Sequence, residues 1–127
     1  MKIELLDSFG EMKSPLYALA DGTHADSFFA ASANGIISEW NTEYGVSSEI
    51  QVKTKGAVFS LLFDEETKFL WVGCQQSTLS VVDVEAKKEI KNYQVHPGGV
   101  FDIKIIDEKI ISVGADGSVI EWNKNTA

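Results

Sequence analysis

An all-β, antiparallel chain of three similar units follows from three observations. A nine-residue phrase recurs, short apolar runs recur in front of it, and turn-forming residues bound every run. The phrase is ADGSVIEWN at 115–123 and ANGIISEWN at 33–41, with an eroded middle copy, QQSTLSVVD, at 75–83. The copies lie 42 and then 40 residues apart, a period that marks a repeated supersecondary unit.

Each unit resolves into strands in a fixed order. PLYALA (15–20), AVFSLLF (57–63) and GVFDIKI (99–105) come first. FFAASAN (28–34), LWVGCQ (70–75) and IISVGAD (110–116) come second, and the phrase itself is third. SSEIQV (47–52) and KEIKNYQ (88–94) follow the first two phrases as fourth strands. All are short, rich in Val, Ile, Leu and Phe, and bounded by Gly, Asp, Asn or Lys, whereas helical periodicity is sustained nowhere. Short consecutive strands joined by tight turns pair antiparallel. The repeats span about 10–52, 53–94 and 95–123. The third is shortened in one loop, IDEK against DEETK and DGTHADS, a change that loops absorb cheaply.

Composition removes several function classes. With 127 residues, 44% hydrophobic and 24% charged, the chain has the length and composition of one globular domain. A net charge of -8 repels phosphate backbones and anionic lipid, so neither nucleic acid nor membrane is an expected partner. The start, MKIELLDSFG, has no apolar run of signal-peptide length. No stretch approaches the ~18 apolar residues of a membrane span, and a cytoplasmic protein is expected. The one cysteine, Cys74, sits in FLWVGCQ and reads as a buried small hydrophobe. His24 reads as an exposed loop residue, because two His and one Cys are a poor stock for a zinc site. No metal or cofactor is expected.

The third repeat carries VHPGGVFDI before its first strand and EWN at the end of its third. These segments, at a period of ~40–45 residues, resemble the WD-repeat β-propeller family, with Val95 for its Gly and Asn123 for its Asp. The resemblance covers essentially the whole chain. It implies β-propeller blades of four antiparallel strands, three blades per chain. It also implies a buried hydrogen-bond network of His96, Ser112, Asp116 and Trp122. In the first repeat Met12 and Ala30 replace the His and Ser while Asn34 and Trp40 remain; in the second, Thr54, Val72, Gln76 and Val82 carry no network. Taken alone, a Ser, a His and an Asp suggest a nucleophilic triad. No Gly-x-Ser-x-Gly elbow surrounds Ser112, however, so no catalytic residue is assigned.

Strand connectivity sorts the loops between two faces. The bottom loops collect Asp21, Asp26, Glu43, Asp64, Glu65, Glu66, Asp83, Glu85, Asp107 and Glu108, and most charged loops are simply solvated. The top carries Glu11 and Asp116 against Lys13, Lys53 and Lys55. Tyr17, Phe59 and Phe101 share one position on the first strands. The resemblance implies that this position contacts partners near the top of the channel, with Ala33, Gln75 and Ala115 as neighbours. Aromatics there either form a binding hot spot or fill the contact between blades. The expected function is a noncatalytic protein-binding or scaffolding module, with a peptide or protein on the top face. One alternative is a small-molecule or enzyme site in the channel, for which Asp102 and Lys104 are the charged candidates. Another is a fragment of a longer propeller.

Propellers close with four to eight blades, more than three repeats supply. The third repeat stops after its third strand, and the chain begins with KIELLDSF, which belongs to no repeat. The expectation is a homodimer of six blades, favoured over a trimer of nine. Residues 2–9 of one copy would form a strand against 118–123 of the other, with Ile3, Leu5, Leu6, Phe9, Val119 and Glu121 at the interface.

Overall fold

Short runs rich in β-branched and aromatic residues form the strands, because such side chains suit a pleated, buried surface. The middle strands of the first two repeats are buried at consecutive positions. The computed structural model describes residues 1–8, 14–43, 45–51 and 56–126. Eleven strands are seen among them: β1 (Leu16–Asp21), β2 (Ser27–Ser32), β3 (Ile36–Asn41), β4 (Gly45–Gln51), β5 (Val58–Asp64), β6 (Phe69–Cys74), β7 (Thr78–Asp83), β8 (Lys88–Gln94), β9 (Val100–Ile106), β10 (Lys109–Gly114) and β11 (Val119–Trp122). A single 3-10 turn follows at Lys124–Thr126. No helix among the described residues is long and apolar enough to cross a membrane.

The strands form three antiparallel sheets, each a meander: β1-β2-β3-β4, β5-β6-β7-β8 and β9-β10-β11. We call them the first, second and third blades. β1, β5 and β9 lie side by side as the innermost strands, packing β1 on β5 and β5 on β9. The short connection between β9 and β10 is a hairpin turn on Asp107 and Glu108, both in the left-handed region at φ 52° and 63°, as a two-residue turn of this type requires.

Two apolar cores form between the blades. Phe29, Ala31 and Ile37 of the first blade meet Val58, Leu61, Phe63, Leu70, Val72 and Val82 of the second. Trp71, Leu79 and Val81 on the second blade's other side meet Val100, Ile103 and Ile110 of the third. The second blade is thus packed on both sides. Cys74 is fully buried in the first core, and His24 is exposed.

Residues 1–8 form no strand, and Ile3, Leu5 and Leu6 are exposed. The expected strand over 2–9 is therefore not formed at residues 2–8 of the single chain. Phe9, Lys13, Lys53 and Lys55 lie outside the described residues.

Candidate functional site

A backbone irregularity singles out three side chains. In each blade the first strand pairs with the second through a β-bulge at the same place. Leu16 pairs with Ser32 and Ala18 with Ala31, which leaves Tyr17 as the extra residue. Val58 and Ser60 pair with Cys74 and Gly73, skipping Phe59. Val100 and Asp102 pair with Gly114 and Val113, skipping Phe101. A bulge frees one side chain from the pleat and turns it toward a new direction. Here it does so three times, and each time the residue is aromatic.

The freed rings form a row. Tyr17 and Phe59 are 5.8 Å apart at an edge-on 67°, and Phe59 and Phe101 are 5.8 Å apart at 54°, both favourable geometries for aromatic pairs. Tyr17 and Phe101 remain half-exposed. Gln75 is exposed at the top of the second blade, and a Cβ on Gly99 would stand 3.4 Å from its carbonyl, 3.4 Å from Phe59 and 3.1 Å from Phe101. Gln75 therefore borders the row. Ala33, Gln75 and Ala115 are fixed alike, each donating its N–H to the carbonyl of the residue just before the first strand of its own blade, Pro15, Ala57 or Gly99. Beneath the row a small pocket of about 180 Å³ is lined by Ala18, Leu19, Ser60, Leu61, Asp102 and Lys104.

His96, Ser112, Asp116 and Trp122 are joined in one hydrogen-bonded chain. Trp122 Nε1–H donates to Ser112 Oγ at 2.9 Å, and an indole can only donate. The Ser112 hydroxyl then has its own proton for His96 Nε2, 2.8 Å away. That leaves the imidazole proton on Nδ1, facing Asp116 Oδ1 at 3.0 Å. Ser118 donates to the same carboxylate at 2.8 Å, a member that family spacing alone did not name. Hydrogen bonds from His96 first, and then from Ser118, hold the Asp116 carboxyl below its usual pKa. Gly114 makes room for the ring, because a Cβ there would sit 2.3 Å from His96 Cβ. His96 and Ser112 are fully enclosed, so neither reaches a substrate.

The first blade, with Ala30 at the serine position, encloses a hydroxyl elsewhere. Ser32, two residues after Ala30, is buried and bonds the Asn34 side chain and the Ile36 backbone. On the bottom face the acidic loops are not all solvated. Lys124 is buried and its Nζ donates to Asp64 Oδ1 at 3.0 Å and Glu66 Oε2 at 3.1 Å, with Glu108 at 3.7 Å. Burial pulls its pKa down, but Asp64 and Glu66 outweigh it and hold the pKa above the ordinary lysine value. Burial likewise raises Asp64, and the Thr67 hydroxyl and Lys124 outweigh it, leaving the carboxyl below its usual range. Lys124 stands at the repeat position of Val84, which is buried. A lysine at a core position was the signal that a carboxylate must meet it.

Burial raises Glu39 as well, but bonds from the Thr23 hydroxyl and N–H and the Ser27 hydroxyl bring its pKa below the usual value. The carboxylate thereby stitches the β1–β2 turn. Val119 and Glu121 lie exposed on β11, with Glu121 paired to Lys109 at 2.7 Å. Among the described residues no three His, Cys, Asp or Glu side chains gather as a metal set.

No protein-family model matches the chain. The WD repeat-containing protein 91 homolog of Dictyostelium discoideum is 25% identical over 113 residues, which is 83% of this chain and 15% of that protein. The crystal structure of the computationally designed protein Ika8, a β-propeller, is similar with a TM-score of 0.70, covering 87% of this chain and 34% of that one at 19% identity. The chain therefore spans a small part of either.

Proposed function

We propose, for a chain that is WD-repeat-like in sequence and propeller-like in fold, a noncatalytic protein-binding module whose recognition surface is the aromatic row Tyr17–Phe59–Phe101. The observation that carries this reading is the triple bulge. Three rings taken out of the pleat at one register, two of them half-exposed, form an apolar strip suited to the side chains of an extended peptide. The enclosure of His96 and Ser112 supports a structural rather than a chemical role for the quartet.

In the same reading the ring is completed by a second copy, giving six blades. Residues 2–9 of one copy then run beside residues 118–123 of the other. Two features support this. β11 has no fourth strand beside it among the described residues, unlike the corresponding β3 and β7. A cleft of about 430 Å³ borders it, lined by Lys109, Glu121, Trp122 and Asn125 among others. The compartment follows from the reading as the cytoplasm.

The test is selection of extended peptides from a phage-displayed library, followed by titration against variants. Phe59→Ala should weaken the selected peptides about tenfold, as expected for the loss of a central aromatic anchor. Glu65→Lys with Glu85→Lys, on the acidic face and away from Lys124, should leave binding unchanged. Loss of binding on the second change alone would move the interface to the bottom.

A further inference from the structure

The three blades are copies of one unit, so equivalent side chains should be equally buried unless a neighbour is missing. Three apolar positions at the outer blade faces depart from this. Leu19 is 70% exposed, while Leu61 and Ile103 at the same place are 6% and 1% exposed. Leu16 is half-exposed, while Val58 and Val100 are fully buried. Val119 is 69% exposed, while Ile37 and Leu79 are fully buried. Leu61 belongs to the contact between first and second blades, and Leu79 to that between second and third. The three exposed residues are therefore bare halves of a blade contact, Leu16 and Leu19 on the first blade and Val119 on the third.

We propose that these two faces meet between two copies of this chain, head to tail, in the register of the contacts inside the chain, and that Asp102 and Val113 hold this contact looser than either internal one. The proposal rests on the six-bladed reading and deepens it. One pairing of opposite charges favours a second copy as the occupant. Lys104 stands at the position of Leu62, which packs on the cluster containing Ile103. The same register lays Lys104 along Leu19 of the second copy, with its ammonium toward the exposed Asp21 two residues on.

The looseness follows from one packing layer. In the first internal contact this layer is Ala18 and Ala31 against Val58. In the second it is Ser60 and Gly73 against Val100, where Ser60 Oγ donates to the Val100 carbonyl at 3.0 Å. A Cβ on Gly73 would lie 2.1 Å from Ser60 Oγ and 2.8 Å from Val100, so this layer has no spare room. Between copies the corresponding residues are Asp102 and Val113 against Leu16. All three are larger than their counterparts, and overpacked layers separate or strain. A carboxylate also replaces the hydroxyl, and it has no proton to give the Leu16 carbonyl. Such a contact forms reversibly.

Sedimentation velocity of the full chain across the micromolar range tests this. The wild type should exchange between 13.9 kDa and twice that mass. D102A/V113A, which copies Ala18 and Ala31, should tighten the dimer about tenfold, equivalent to about 1.4 kcal/mol. Leu19→Asp, at a position exposed in the single chain, should abolish the dimer while leaving the circular dichroism and melting of the dilute chain unchanged. A dimer that Leu19→Asp leaves intact, or that D102A/V113A fails to tighten, overturns this register while keeping two copies. A monomer throughout, D102A/V113A included, overturns both the register and the six-bladed reading and assigns the bare faces to other blades. Masses beyond two copies overturn the closed pair.

Discussion

Two tryptophans, 6.4 Å apart across the contact between the second and third blades, show how differently these blades are held. Trp71 is fully buried in an apolar core, and its Nε1–H has no hydrogen-bond partner among the described residues. Trp122 is half-buried against Tyr93, 4.9 Å away, and gives its Nε1–H to Ser112. The second blade has a neighbour on each side, and Val72 and Val82 stand where the third blade has Ser112 and Trp122. Among the described residues the third blade packs against the second and encloses a polar chain. Apolar packing holds the second blade, and a fully satisfied polar network holds the third.

The largest break of this comparison is Ser112→Ala. It removes the acceptor for Trp122 and the donor for His96 together, and should cost about 1–3 kcal/mol in urea unfolding. If the change abolished a binding activity while leaving the melting temperature alone, the structural role of the quartet would be wrong.

Lys124→Met comes next, at about 1–2 kcal/mol, because Asp64 keeps Thr67 but loses its buried cation. It also sharpens the pH dependence. Glu39, Asp64 and Asp116 have lowered folded pKa values, so their stabilisation is present above the ordinary carboxylate range and lost as pH falls through the lowered values. Lys124 is raised, so its share is present up to the ordinary lysine range and lost as pH climbs through the raised value. Lys124→Met should flatten both limbs of the stability profile, and an unchanged acid limb would mean that Asp64 does not depend on Lys124. The smallest effect is Trp71→Phe. Removing an unpartnered buried donor relieves part of its desolvation cost, so the net loss should stay within about 1 kcal/mol despite the smaller ring. A larger loss would show that the indole N–H has a partner, perceptible as a protected resonance by NMR.

Much of the architecture was legible because a repeat writes the same information three times. Strand order and the spacing of His96, Ser112, Asp116 and Trp122 could be read by laying one unit over another. Side chains that leave the repeat were harder to read. Ser32, two residues from the serine position, bonds the Asn34 side chain and the Ile36 backbone, and Lys124 drew Asp64 and Glu66 out of a loop that looked merely acidic. Both depend on neighbours far along the chain or on a shift of two residues, which periodicity does not encode.

By itself the sequence determined three units of short antiparallel strands, since β-rich runs and the turn residues that bound them act locally. It also placed Tyr17, Phe59 and Phe101 at one common position. Only the tertiary structure decided where those rings point, because a bulge is a property of the pairing between two strands and not of either strand alone. It also decided which leucines and valines are covered. Leu19, Leu61 and Ile103 are nearly the same residue in sequence, and their exposure differs because burial is set by what packs across from a side chain.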